Sequence, residues 1–97
     1  MTDLMFLVSR PESAATLAGL ARACRKRGTR WACFFTSGGV RVLADPAVVE
    51  LLAGASRAVA CEYSWERYMG HARCPVELGS QTGNSALAAA TRRIISL

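Results

Sequence analysis

The chain has 97 residues, 52% of them apolar and 20% charged, with a formal net charge of +5; this is enough for one packed core and too little for two, and it argues against a disordered chain. No apolar stretch approaches the ~18–20 residues of a membrane helix, and Leu4–Val8, which follows Asp3, is too short for the apolar region of a secretion signal. The expected setting is therefore the cytoplasm, where the four cysteines are reduced thiols and not a disulfide framework.

Leu4-Met5-Phe6-Leu7-Val8 is a continuous apolar run of strand length, the pattern of a strand covered on both faces. Pro11 and Glu12 suit a helix start. Ala14, Leu17, Ala18, Ala21 and Cys24 then recur at helical spacing until Gly28 closes the helix behind Lys26 and Arg27. Trp31–Phe35 repeats the buried-strand pattern, so the intervening helix is the crossover of a right-handed βαβ unit. Ser37-Gly38-Gly39 turns the chain, Asp45 caps a helix with Pro46 at its first position, and that helix runs to Gly54. Ala58-Val59-Ala60 forms a third strand ending at Cys61, and Ser64 is the expected N-cap of a short helix stopped by Gly70. An irregular stretch, Gly70–Gly79, leads to a helix around Asn84–Ala90 and a last strand over Arg93–Ser96.

This alternation predicts a single α/β domain over residues 1–97, a three-layer sandwich whose mostly parallel sheet of four to five strands has helices on both faces. Such folds place their sites at the carboxyl ends of strands. Thr36–Gly39 and Cys61–Ser64 both fall on that edge.

A cysteine just before a helix faces unpaired backbone N–H groups and the positive end of the dipole, which favour its thiolate. Cys61 occupies such a place. Glu62 opposes the effect, while Arg67, His71 and Arg73 are the cations that would support it if their segment folds back. From position alone, Cys61 is equally well read as a small buried residue ending a strand. Cys74, beside His71 and Arg73, is a second candidate thiol or an ordinary loop cysteine; Cys24 and Cys33 read as core. There is no Cys-x-x-Cys pair and only one histidine, so no metal site is expected. Neither dinucleotide nor P-loop fingerprint is present, and no organic cofactor is expected.

Arg22, Arg25, Lys26, Arg27 and Arg30 concentrate the positive charge. The simplest reading is a solvated helix face and last turn. Nucleic-acid binding is disfavoured because no aromatic side chains interleave with the basic ones.

Phe34-Phe35-Thr36-x-x-Gly39-Val40-x-x-Leu43 and Cys61-x-x-Ser64-x-x-x-x-Met69-Gly70 resemble two linked segments of DsrE-like sulfur-relay proteins. Val76-Glu77-x-Gly79-Ser80, the Ala/Leu-rich helix and Arg93-Ile94-Ile95-Ser96 are similar to that family's closing elements. The resemblance implies a persulfide-carrying cysteine at Cys61, with Ser64, Gly70, Gly39 and Thr36 in positioning roles. It also implies a homo- or hetero-oligomer and sulfur exchange with TusA-like or rhodanese-like proteins. Two other expectations stand beside this sulfurtransferase or carrier reading. One is a non-catalytic assembly subunit of such a complex; the other is a basic module holding an acidic protein or nucleic acid through Arg22–Arg30.

Overall fold

The structure, a computed structural model, describes residues 2–97. Five strands form one sheet: β1 (Thr2–Val8), β2 (Trp31–Phe35), β3 (Arg57–Cys61), β4 (Glu77–Gly79) and β5 (Thr91–Ser96). Four α-helices connect them: α1 (Ala14–Arg27), α2 (Pro46–Leu51), α3 (Glu62–Met69) and α4 (Gln81–Ala89). Shorter 3-10 segments lie at Pro11–Ser13, Ser37–Ala44 and Leu52–Gly54.

The strand order is β4-β3-β2-β1-β5, and every neighbouring pair is parallel. The first three crossovers step in the same direction, and right-handed connections then place their helices on one face. From β4 the chain must return across the whole sheet to reach β5 beside β1, and it does so along the other face through α4. The result is a three-layer α/β sandwich with one heavily covered face and one covered by α4.

The side chains follow this division. Phe6, Val8, Trp31, Cys33, Phe35 and Ala60 pack against Leu17, Ala21, Val48 and Trp65 of the first helical layer. Met5, Ala32, Phe34, Val59 and Cys61 point the other way, against Leu87 of α4. Strands buried on both faces need apolar residues at every position, which is why β1 and β2 read as unbroken runs. All five residues of β2 are buried.

Local signals explain the boundaries. Gly28 ends α1 in the left-handed region at φ 69°, where its N–H closes on the Arg25 carbonyl. Asp45 caps α2, its carboxylate accepting from Ala47 N at 2.9 Å. Three expectations need correction. The last helix begins at Gln81, three residues before Asn84, because Ser80 is its N-cap and accepts from Gly83 N at 3.2 Å. The segment Gly70–Gly79 is not wholly irregular, since Glu77–Gly79 pairs with Val59–Cys61 as β4. Ser64 is not a cap: α3 starts at Glu62 with Cys61 itself at the N-cap, so Ser64 lies within the first turn.

Candidate functional site around Cys61

Cys61 ends β3 and caps α3, so the chain passes from sheet to helix at this one residue. Its side chain belongs to the α4 face, among Phe34, Val59 and Leu87. It is only 5% exposed, yet it reaches solvent at the floor of a cleft lined by Thr36, Ser37, Tyr63, Ser64, Arg67, Tyr68 and Gln81.

Three segments from distant parts of the sequence converge on the sulfur. The first is the turn after β2, where Ser37 adopts φ 51°, a left-handed conformation that only a few per cent of non-glycine residues adopt. In that conformation its N–H donates to Ser64 Oγ at 2.8 Å. Gly39 makes the turn possible: a Cβ there would lie 2.1 Å from the Val8 carbonyl oxygen, so only glycine lets the turn run this close to β1. The second segment is the first turn of α3. The third is the start of α4, where Gln81 Nε2 donates to Thr36 Oγ1 at 3.3 Å and Oε1 accepts from Asn84 Nδ2 at 3.4 Å. Asn84 thereby fixes which end of the Gln81 amide faces the sulfur. Its own Oδ1 is buried without a partner.

The electrostatics of Cys61 result from two opposing effects. Burial pushes the thiol up, the largest single influence, but the Ser64 hydroxyl, the Ser64 and Tyr63 backbone N–H groups and the Gln81 amide together outweigh it and hold the pKa below its ordinary value. The Tyr63 and Ser64 N–H groups belong to the first turn of α3, so the positive end of the helix dipole adds to their effect on the sulfur. Ser64 is well suited to its part: its oxygen already accepts from Ser37, which leaves the hydroxyl proton free for sulfur.

The other cysteines differ in kind. Burial raises the pKa of Cys24, and Cys33 is raised still further by burial and by the nearness of Cys24. Both are core residues, as their surroundings in the sequence suggest. Cys74 packs against the first helical layer, and burial raises its pKa in spite of a hydrogen bond from the Val76 backbone.

Cys74 and Cys61 are not brought together. Cys61 pairs with Gly79 at the carboxyl edge, whereas Cys74 precedes the first residue of β4 at the amino edge. The same topology separates His71, Arg73 and Gly70 from the thiol. Helix α3 runs antiparallel to the strands, so the segment beyond its end lies at the far edge, where Trp65 Nε1 donates to the Ala72 carbonyl at 2.7 Å. Gly70 thus supports the end of α3, with φ 63°, and not the cysteine loop. Of the three suggested cations only Arg67 lines the cleft. Glu62 points into solvent.

Sequence reasoning missed Gln81. Its only local signal was the Ser80 cap three residues before Gly83, and nothing local indicates that the final crossover would carry it back to β3.

A larger concavity lies at the opposite edge between α1 and α2, bordered by Arg22, Arg25 and Arg30. The one thiol there, Cys24, is held neutral by burial, so the smaller cleft has the reactive chemistry. Among the described residues no cluster of three metal-ligating side chains occurs, and no helix is long and apolar enough to cross a membrane. No family model, curated protein or solved structure matches the chain.

Proposed function

We propose that this protein carries sulfane sulfur as a persulfide on Cys61 and passes it to a partner's thiol, in the manner of the DsrE-like proteins its motifs resemble. The observation that carries this reading is the placement of the Cys61 thiol at the junction of β3 and α3, opening into a cleft lined by Ser64, Tyr63 and Gln81, surroundings that favour its thiolate against burial. A structural cysteine at a strand end needs no such surroundings.

The chemistry is thiol exchange. The Cys61 thiolate attacks the outer sulfur of a donor persulfide, R–S–S⁻; the inner S–S bond breaks, giving Cys61–S–S⁻ and R–S⁻. An acceptor thiolate R′–S⁻ then attacks the outer sulfur on Cys61, giving R′–S–S⁻ and restoring the Cys61 thiolate. Each step conserves charge and requires no cofactor, metal or external oxidant. A persulfide S–S bond is about 2 Å long, so on this reading the transferable sulfur lies within the cleft that Tyr63 and Gln81 line with Cys61. TusA-like or rhodanese-like proteins in the cytoplasm are the partners this reading names.

One feature favours a second reading, a non-catalytic assembly subunit. Edge strand β5 has six residues, and its Ile94 is 49% exposed on the thinly covered face. Such an edge is suited to another protein surface.

The test is to incubate reduced protein with inorganic polysulfide and weigh it intact, in the wild type, Cys61→Ser and Cys74→Ser. A reductant-labile gain of one sulfur atom, lost only in Cys61→Ser, is expected of the carrier. Loading that is absent, or unchanged in Cys61→Ser, would refute it. A Cys61→Ser protein that still supports the assembled complex and its function would establish the second reading.

A further inference from the structure

Two guanidinium groups gather beside the thiol cleft. Arg67 Cζ lies 5.7 Å from the centroid of the Tyr68 ring, and Arg41 Cζ lies 5.2 Å from the same centroid. Arg67 comes from the last turn of α3 and faces the hydroxyls of Tyr63 and Tyr68; Arg41 comes from the 3-10 segment after β2. Both therefore belong to segments that also build the Cys61 site.

Neither has an acidic partner. The single ion pair among the described residues joins Arg57 to Glu77, away from this cleft. Two like charges held near one aromatic ring repel each other, and a ring face compensates each of them only in part. Tyr63, 67% exposed, extends this rim outward, so the cleft has a polar, aromatic and cationic border over a floor that carries the thiol. Its volume of about 460 Å³ is of small-molecule size.

The geometry points to a specificity role for Arg67 and Arg41: they select a small anionic sulfur compound, one whose reacting sulfur is borne on a carboxylate- or oxoanion-bearing carrier, for reaction at Cys61. This inference rests on the sulfur-carrier reading for the identity of the reacting group, but the charge selection is a property of the rim. Without the rim such an anion would be repelled by the thiolate it must approach. Arg67 lines the cleft itself, whereas Arg41 acts on it across the Tyr68 ring.

Iodoacetate and iodoacetamide separate charge selection from thiol reactivity. Both alkylate the thiolate with loss of iodide, and only the first is an anion. The rates at Cys61, followed by peptide mapping, are compared as a ratio in the wild type, Arg67→Gln, Arg41→Gln, Arg67→Lys and Arg73→Gln. The last removes one positive charge at the opposite edge. At separations of several ångströms near a protein surface, losing one charge is expected to lower the iodoacetate to iodoacetamide ratio by about three- to tenfold. Arg67→Gln should show this in full, Arg41→Gln a smaller drop, and Arg67→Lys and Arg73→Gln little change. Raising the salt concentration should lower the wild-type ratio toward that of Arg67→Gln.

A ratio in Arg67→Gln equal to that in Arg73→Gln would overturn the inference, as would a parallel fall in both rates. Because alkylation needs no sulfane sulfur, the two readings fail separately. A protein that refuses polysulfide but shows the ratio pattern keeps its anion-selective rim and loses the carrier function. One that loads sulfur without the pattern keeps the carrier and loses the rim.

Discussion

Replacing Ser64 by alanine tests the origin of the reactive thiol. The substitution removes the hydroxyl that accepts from Ser37 N at 2.8 Å and that favours the Cys61 thiolate. A hydrogen bond to a charged group contributes about 1.5–3 kcal/mol, and 1.36 kcal/mol corresponds to one pKa unit. The lower figure applies to a diffuse sulfur acceptor, so the Cys61 pKa should rise by about one unit. Below that pKa the thiolate fraction, and with it the alkylation rate by iodoacetamide, should fall about tenfold. The stability consequence has a definite sign. Cys61 is depressed in the folded state, so its contribution is present above the unfolded-state value of about 8.5 and is lost as pH falls through the folded-state value. The wild type should therefore gain stability as pH rises across that window, and Ser64→Ala should gain less. The measurement is the pH profile of Cys61 alkylation, with thermal unfolding at several pH values. A Ser64→Ala profile superimposable on the wild type would show that the helix N–H groups and Gln81 suffice, and would refute the role given to Ser64.

Gln81→Leu should move the Cys61 pKa in the same direction by less than Ser64→Ala, because Gln81 is the smallest of the favourable influences; titration of thiolate absorbance checks the order. Iodoacetamide should label Cys61 first and Cys24 and Cys74 slowly, and it should reach Cys33 only after unfolding, as timed mass mapping would show. Gly39→Ala and Gly79→Ala offer a paired test of close packing. The first places a Cβ against the Val8 backbone and should cost about 3 kcal/mol, while the second meets only Val59 Cγ1, at 2.7 Å, and should cost about 1 kcal/mol. For a domain of this size the difference is a gap in melting temperature on the order of 10 °C, and equal melting temperatures would contradict the contrast.

Much of the architecture could be read along the chain because its signals are local. The runs Leu4–Val8 and Trp31–Phe35 are strands buried on both faces, Gly28 and Asp45 are helix boundaries, and all fall where their chemistry predicts. β4 was harder to see. Only three residues pair, two are exposed, and the strand takes its identity from its alignment with β3. Ser64 shows a different limit. Serine near the start of a helical pattern is a good cap by propensity, yet here the strand runs directly into the helix and the hydroxyl is claimed by Ser37 from another crossover. The cations divide for a topological reason. Arg67, His71 and Arg73 are close in sequence, but one turn beyond α3 carries the last two to the other edge of the sheet.

The site depends on both faces of the sandwich, which bears on how its reactivity is set. Cys61 points toward α4, Ser64 is buried beneath the turn after β2, and Gln81 reaches in from the crossover that joins β4 to β5. The Ser64 hydroxyl serves both the strained Ser37 N–H and the sulfur, so a shift of the turn changes the field at the thiol without any contact to it. Gln81 is divided in the same way between Thr36 and Cys61. A surface that moved the start of α4 by a fraction of an ångström would weaken one donor to sulfur and leave the rest in place. Such a displacement raises the thiol pKa, which makes the thiolate a poorer leaving group and leaves it less often available as a nucleophile. On the carrier reading proposed above, a partner seated near Tyr63 and Gln81 that displaced the Gln81 amide would slow the release of sulfur from Cys61.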